Sequence, residues 1–224
     1  MNETRTTQPF GLFFPLIFTV AKWICRLLHP VTVQGLENLP RHGALLVANH
    51  ASNWDPLVLA TALPMDYRLR VMGKEELFQN PILAWVIRVG GAFPVNRGGA
   101  DIQAVKTAIQ TIQSGQNLLI FPEGTTIRNG IGKADGLPAH AHSGAAVIGV
   151  RTGAILVPVF VDGEKRTFHR TRIIIGQPYT PVYTGRRGTA EEMQKIADEL
   201  LREVYALGGQ QVGGAPLCKL SLIH

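Results

Sequence analysis

Asn49-His50-Ala51-Ser52-Asn53-Trp54-Asp55-Pro56 places an imidazole and a carboxylate at H-x4-D spacing, just beyond the apolar run Ala44-Leu45-Leu46-Val47-Ala48. An imidazole can take a proton from an alcohol near neutral pH. A carboxylate on its other ring nitrogen fixes the tautomer and stabilises the imidazolium as it forms. The acid need not itself take the proton. The pair can therefore turn a hydroxyl into a nucleophile. A plainer reading stands beside this one, with Asp55 capping a helix whose first position is Pro56 and His50 an ordinary loop histidine.

Three further blocks follow in order. Gly91-Ala92-Phe93-Pro94-Val95-Asn96-Arg97 reads as a glycine turn feeding a short strand, with Arg97 at its far end beside Gly98-Gly99. A guanidinium there suits bidentate binding of phosphate, and equally suits a solvated surface. Asn117 to Phe121 reads as a buried strand that Pro122 stops, leaving Glu123 at its end and Gly124 and Thr125 as backbone donors. Glu123 is an awkward phosphate ligand because like charges repel, so a substrate hydroxyl or a nearby arginine is the better partner for it. Val157-Pro158-Val159 closes the series.

In this order the blocks resemble the four motifs of the glycerolipid acyltransferases, and more narrowly the bacterial 1-acyl-glycerol-3-phosphate (lysophosphatidic acid) branch. The resemblance covers residues 30 to 180. It implies transfer of a fatty acyl group from a thioester to the free hydroxyl of lysophosphatidic acid, with no metal, no cofactor and no covalent acyl-enzyme required. The donor substrate would be acyl-CoA or acyl carrier protein. It further implies that His50 is the general base and Asp55 its orienter, and that Arg97, Glu123 and Gly124, with Thr125, bind the acceptor. One position departs. The family often follows Glu-Gly-Thr with arginine, whereas Thr126 stands here and the next cation is Arg128. Glycerol 3-phosphate or another lysophospholipid therefore stay open as acceptors.

Composition favours a membrane-facing enzyme over a nucleic-acid binder. Of 224 residues 46% are hydrophobic and only 17% charged, and the formal charge of +6 favours an anionic partner. No nucleic-acid-binding signature accompanies that charge, so a lipid surface is the expected partner. From Thr6 to Ala21 the chain is uncharged and rich in Phe, Leu and Ile, with Pro15 interrupting, and Lys22, Trp23 and Arg26 follow. This reads as a helix lying in one leaflet, with a short transmembrane anchor as the alternative. No cleavage site follows, so a signal peptide fits poorly. Cys25 and Cys218 are not expected to pair and suit a cytosolic face, which makes the cytoplasmic side of the cell membrane the expected location. A non-catalytic membrane-binding module is the rival class. His140-x-His142 is not expected to hold a metal, because i, i+2 side chains share a face only on a strand and Pro138 and Gly144 argue against one.

These residues must be positioned by elements that alternate along the chain. Strands are expected at 31–33, 44–48, 69–71, 93–95, 117–121, 155–161 and 171–175. Helices are expected at 56–62, 75–89, 100–114, 143–151 and 191–207. The alternation predicts a single α/β domain (29–207) with a mixed or largely parallel sheet flanked by helices. It is preceded by the membrane-associating segment (1–28) and followed by a flexible tail (208–224). If the strands are parallel, His50 and Glu123, each just past a strand, meet at the carboxyl edge of the sheet.

Overall fold

Strand-forming apolar runs and amphipathic helices alternate as the periodicity predicts. The computed structural model describes residues 11–96, 101–124, 126, 141–162 and 167–209. Among the described residues seven strands form one sheet: β1 (Val31–Gln34), β2 (Ala44–Ala48), β3 (Arg70–Lys74), β4 (Ala92–Val95), β5 (Leu118–Ile120), β6 (Ile155–Val161) and β7 (Thr171–Ile175). Their spatial order is β1-β7-β6-β2-β5-β3-β4. Every neighbouring pair is parallel except β6 with β7. The carboxyl ends of β2, β5 and β6 therefore share one edge.

The helices are α1 (Phe14–Leu28), α2 (Asp55–Ala62), α3 (Pro81–Val89), α4 (Ile102–Gln113), α5 (Gly144–Thr152) and α6 (Ala190–Leu207). Both faces of the central strands are covered, which is why β2 is apolar at every position and fully buried. Leu45 and Val47 point to one side, into a core with Leu118, Ile120, Leu156 and Phe160 under α4, α5 and α6. Ala44, Leu46 and Ala48 point to the other, against Val157, Val159, Val58 and Leu59 of α2, and Cys25 of α1. Truncating Leu45 or Leu46 to Ala would cost about 2–5 kcal/mol through the cavity left behind.

The amino edge of the sheet is tied by Asn117, which precedes β5 and does not belong to it. Its Oδ1 accepts from Ala44 N at 3.0 Å, and its Nδ2 donates to the carbonyls of Arg41 and Tyr67 at 3.1 Å each.

Element ends shift by up to three residues from the expectation, and three features differ in kind. The single helix expected over 75–89 is a 3-10 turn, Glu75–Phe78, followed by α3. Proline fits only the first turn of a helix, and Asn80 Oδ1 caps the new start by accepting from Ile82 N and Leu83 N, both at 3.0 Å. Pro15, read as an interruption, lies in the first turn of α1 and so begins that helix. Asp55, read as an N-cap, is the first residue of α2, with Trp54 at the cap position and no side-chain cap bond. Its carboxylate turns back to the preceding loop instead. The expected tail lies outside the described residues from position 210 onward.

Candidate active site

β2 delivers His50, and Asn49 fixes where the strand ends. Asn49 Oδ1 accepts from Val161 N at 2.8 Å and its Nδ2 donates to Val161 O at 2.9 Å. This side chain continues the β2–β6 ladder one step after the β2 backbone has turned away. Buried amide bonds of this kind leave two unsatisfied backbone groups if they are lost, at about 1–3 kcal/mol each.

His50 then projects from the carboxyl edge. Its Nδ1 lies 3.2 Å from Asp55 Oδ2. The same oxygen accepts from Ala51 N and Ser52 N, both at 2.7 Å. Asp55 is 0% exposed. The turn thus wraps its own backbone donors around the carboxylate that faces the imidazole. Because Nδ1 meets a carboxylate oxygen, the favoured tautomer keeps the proton on Nδ1 and leaves Nε2 outward as the acceptor. The imidazole is clamped from the side by Phe121, with ring centroids 4.3 Å apart and nearly stacked.

Glu123 arrives from the end of the parallel neighbour β5. Its Oε2 accepts from His50 N at 2.6 Å, and its Oε1 accepts from the hydroxyl of Tyr205 on α6. At 4% exposure both oxygens are engaged inside the protein. The carboxylate expected to bind acceptor is therefore turned inward onto the His50 backbone and Tyr205, because the chain brings its own donors to it. Burial pushes the Glu123 carboxyl up to about 7, with the bonds from Tyr205 and His50 opposing the rise and the nearby Asp55 charge adding to it. Gly124 sits in the turn at φ +67° with its N–H given to Phe121 O at 3.2 Å, so that amide is spent on the turn and not held out to a ligand. A side chain here would be strained, and its Cβ would fall 2.8 Å from the His142 ring.

Thr126 places its Oγ1 3.2 Å from His50 Nε2 and 3.2 Å from Asn53 Oδ1. A hydroxyl thus stands within hydrogen-bonding distance of the outward ring nitrogen of His50. Arg97 and Thr125, with His140 of the histidine pair, lie outside the described residues. Among the described residues no group of three His, Cys, Asp or Glu side chains could hold a metal ion.

His50, Asn53, Trp54 and Phe121 form part of the wall of an apolar cavity of about 970 Å³. Its remaining wall comes from α1, α2, the β3 region and α3, through residues such as Phe14, Ile17, Leu57, Ala60, Met72 and Val86. Arg68 and Lys74 are the cations among its described lining residues. A space of this size and character suits a lipid chain.

An acyltransferase family model matches residues 30–162, a stretch that holds His50, Asp55, Arg97, Glu123, Gly124 and Thr125 together. The chain belongs to the acyltransferase family. This acyltransferase is 30% identical over 182 residues to the 1-acyl-sn-glycerol-3-phosphate acyltransferase of Bacillus subtilis, a match covering 79% of this chain and 87% of that protein. It is 33% identical over 107 residues to the lyso-ornithine lipid O-acyltransferase of Pseudomonas aeruginosa, covering 46% of this chain and 40% of that protein. The crystal structure of the 1-acyl-sn-glycerophosphate (LPA) acyltransferase PlsC from Thermotoga maritima superposes with a TM-score of 0.64 at 25% identity, covering 89% of this chain and 81% of that one.

Tyr205 and Phe121 are the site neighbours of this acyltransferase that sequence reasoning did not single out. Phe121 reads as the end of a strand and the first residue of the third block, and no local pattern places its ring on His50. Tyr205 was visible only as one residue of the buried stripe of α6, and it is the member of that stripe with a hydroxyl.

Proposed function

We propose that this acyltransferase moves a fatty acyl group from an acyl thioester to the free hydroxyl of lysophosphatidic acid, forming phosphatidic acid for phospholipid synthesis at the cytoplasmic face of the cell membrane. The observation that carries the reading is a carboxylate-backed imidazole set in the wall of a lipid-sized apolar cavity. In this mechanism the acceptor hydroxyl displaces that of Thr126 and donates to His50 Nε2. As Nε2 takes the proton, the hydroxyl oxygen attacks the thioester carbonyl and a tetrahedral intermediate forms. The carbon–sulfur bond then breaks, and the thiol leaves with the proton that His50 returns. Asp55 holds the Nδ1 proton and stabilises the imidazolium between these steps. The donor is acyl-CoA or acyl carrier protein, and the chain binds neither a metal nor a further cofactor in this scheme.

Exposed apolar side chains on two helices that help wall the cavity support action at a lipid surface. Leu16, Val20, Trp23 and Leu27 of α1 and Ile82 and Trp85 of α3 are each at least half exposed, and the Phe13 and Trp85 rings meet at 5.9 Å to join the two helices. Lys22 and Arg26 lie on the same α1 and suit anionic head groups. At 15 residues α1 is about 22 Å long. No helix among the described residues is long and apolar enough to cross a membrane. We place α1 in the interface of one leaflet because exposed apolar side chains and two cations lie on that one helix.

A second acceptor class has two observations behind it. Thr126 stands where the family often has arginine, and one relative is named for a lyso-ornithine lipid. The experiment that separates these readings is thiol release from a long-chain acyl-CoA by the purified protein, offered lysophosphatidic acid, glycerol 3-phosphate, lyso-ornithine lipid or no acceptor. Release with lysophosphatidic acid alone supports the proposal. Release with another acceptor alone keeps the chemistry and replaces the substrate, and silence with both acyl-CoA and acyl carrier protein donors refutes the reading.

A further inference from the structure

We propose that Tyr205, on the closing helix α6 and outside all four blocks that carry the chemistry, is a positioning residue for His50: its hydroxyl holds the Glu123 carboxylate whose other oxygen holds the His50 backbone. The inference rests on the reading of His50 as the base, and it extends that site to a helix 82 residues away in sequence from Glu123.

The geometry is a continuous chain of donors and acceptors. The Tyr205 hydroxyl donates to Glu123 Oε1, Glu123 Oε2 accepts from His50 N at 2.6 Å, and His50 Nδ1 faces Asp55 Oδ2 at 3.2 Å. All four residues are buried, at 2%, 4%, 5% and 0% exposure in that order. The anchor is firm because Tyr205 ends a stripe in which Met193, Ile196, Ala197, Leu200, Leu201 and Val204 are also buried. A phenylalanine would fill the same space in that stripe, so the hydroxyl is what the Glu123 contact adds. A buried carboxylate is costly unless its oxygens are satisfied, and each donor to it favours the ionised form. An ionised Glu123 can accept on both oxygens at once. Protonation consumes one of those accepting positions and loosens the hold on the His50 backbone, and with it the aim of the imidazole at the substrate.

The titratable groups facing Glu123 are His50 from the turn after β2, Asp55 from the start of α2 and Tyr205 from α6, with His142 ahead of α5 packed on the adjacent Gly124. Burial already raises the Glu123 carboxyl, and the Tyr205 bond opposes that rise. Tyr205→Phe removes the opposing bond. Hydrogen bonds to charged groups have strengths that correspond to a shift of about 1 pH unit or more in the carboxyl titration, upward in this case.

The test is the pH profile of kcat and of acceptor KM for wild type, Tyr205→Phe and Leu201→Ala, with thermal midpoints measured alongside. Leu201→Ala loosens the packing of α6 without touching the carboxylate. We expect Tyr205→Phe to move the acid limb of kcat upward by about 1 unit, so that activity at pH 6 falls roughly tenfold while activity at pH 9 and the KM stay near wild type. Leu201→Ala should lower the thermal midpoint and leave the limb in place. A Tyr205→Phe profile superposable on wild type would overturn the inference, as would an equal limb shift in Leu201→Ala. The same link is readable without turnover, as the pH midpoint at which the His50 backbone amide resonance moves in NMR spectra. That midpoint should rise in Tyr205→Phe, and an unchanged midpoint refutes the positioning role. A raised midpoint in a protein that transfers no acyl group would leave the Tyr205 link standing and remove the acyltransfer reading beneath it.

Discussion

Replacing Asp55 with Asn separates the two tasks that the structure gives to one oxygen. Asp55 Oδ2 accepts from Ala51 N and Ser52 N at 2.7 Å and faces His50 Nδ1 at 3.2 Å. An amide can keep its carbonyl oxygen in that place, because the two backbone donors repel the NH2 group and pin the oxygen. The loop and the tautomer of His50 should therefore survive, and what disappears is the negative charge behind the imidazolium. A hydrogen bond to a charged group contributes about 1.5–3 kcal/mol against about 0.5–1.5 for a neutral one, so the difference of about 1–1.5 kcal/mol lowers kcat by roughly 5- to 12-fold at about 1.4 kcal/mol per tenfold. The acceptor KM should change little, because the missing charge acts only when the proton is on His50. The assay is thiol release from acyl-CoA with saturating acceptor, with thermal unfolding as the control for fold. Activity within twofold of wild type would refute the orienting role and leave Asp55 as a loop brace. A large loss of thermal stability would instead show that the backbone donors had not retained the amide oxygen.

Thr126→Ala removes the hydroxyl beside Nε2, and turnover should fall by less than about tenfold because the substrate alcohol supplies the reacting proton; a loss equal to that of His50→Ala would make Thr126 part of the chemistry. Glu123 predicts a pH-dependent stability whose sign follows from its raised carboxyl. The folded value of about 7 lies above the ordinary 4.5, so the contribution is fully present below pH 4.5 and lost as pH rises through about 7, at up to about 3 kcal/mol. Glu203, raised to about 7 by burial and by Glu199, acts in the same direction. Urea midpoints should accordingly fall more between pH 5 and pH 8 in wild type than in Glu123→Gln, and equal falls would contradict this assignment. Leu16→Glu combined with Trp23→Glu should reduce sedimentation with phosphatidylglycerol-containing vesicles by about tenfold or more, since each side chain forfeits about 1.5–3 kcal/mol of apolar transfer; undiminished sedimentation would remove α1 from the membrane contact.

Much of this site is legible in the sequence, for physical reasons that apply to particular residues. The continuous apolar runs at Ala44–Ala48 and Ile155–Val161 are what strands buried on both faces require, and Pro122 marks the end of β5. The H-x4-D spacing is short enough for one turn to close it, so the His50–Asp55 contact is nearly local. Contacts across the sheet were not legible. Asn49 meets Val161 across 112 residues, and that pairing depends on β2 lying beside β6, which no local pattern encodes. Glu123 reads as an exposed strand-end carboxylate because its partner Tyr205 arrives from the last helix. The start of α3 was encoded locally in Asn80-Pro81, where a capping side chain is followed by proline. It was hidden by the unbroken apolar periodicity on either side.

The central claim is that His50 is the base for acyl transfer to a lipid hydroxyl, and lipid mass analysis tests it most directly. Wild type and His50→Ala are incubated with long-chain acyl-CoA and lysophosphatidic acid, and the phosphatidic acid carrying the added acyl chain is quantified. The account predicts that product from wild type, and roughly 10²-fold less or lower from the variant at unchanged thermal stability. Equal product from both proteins would contradict it.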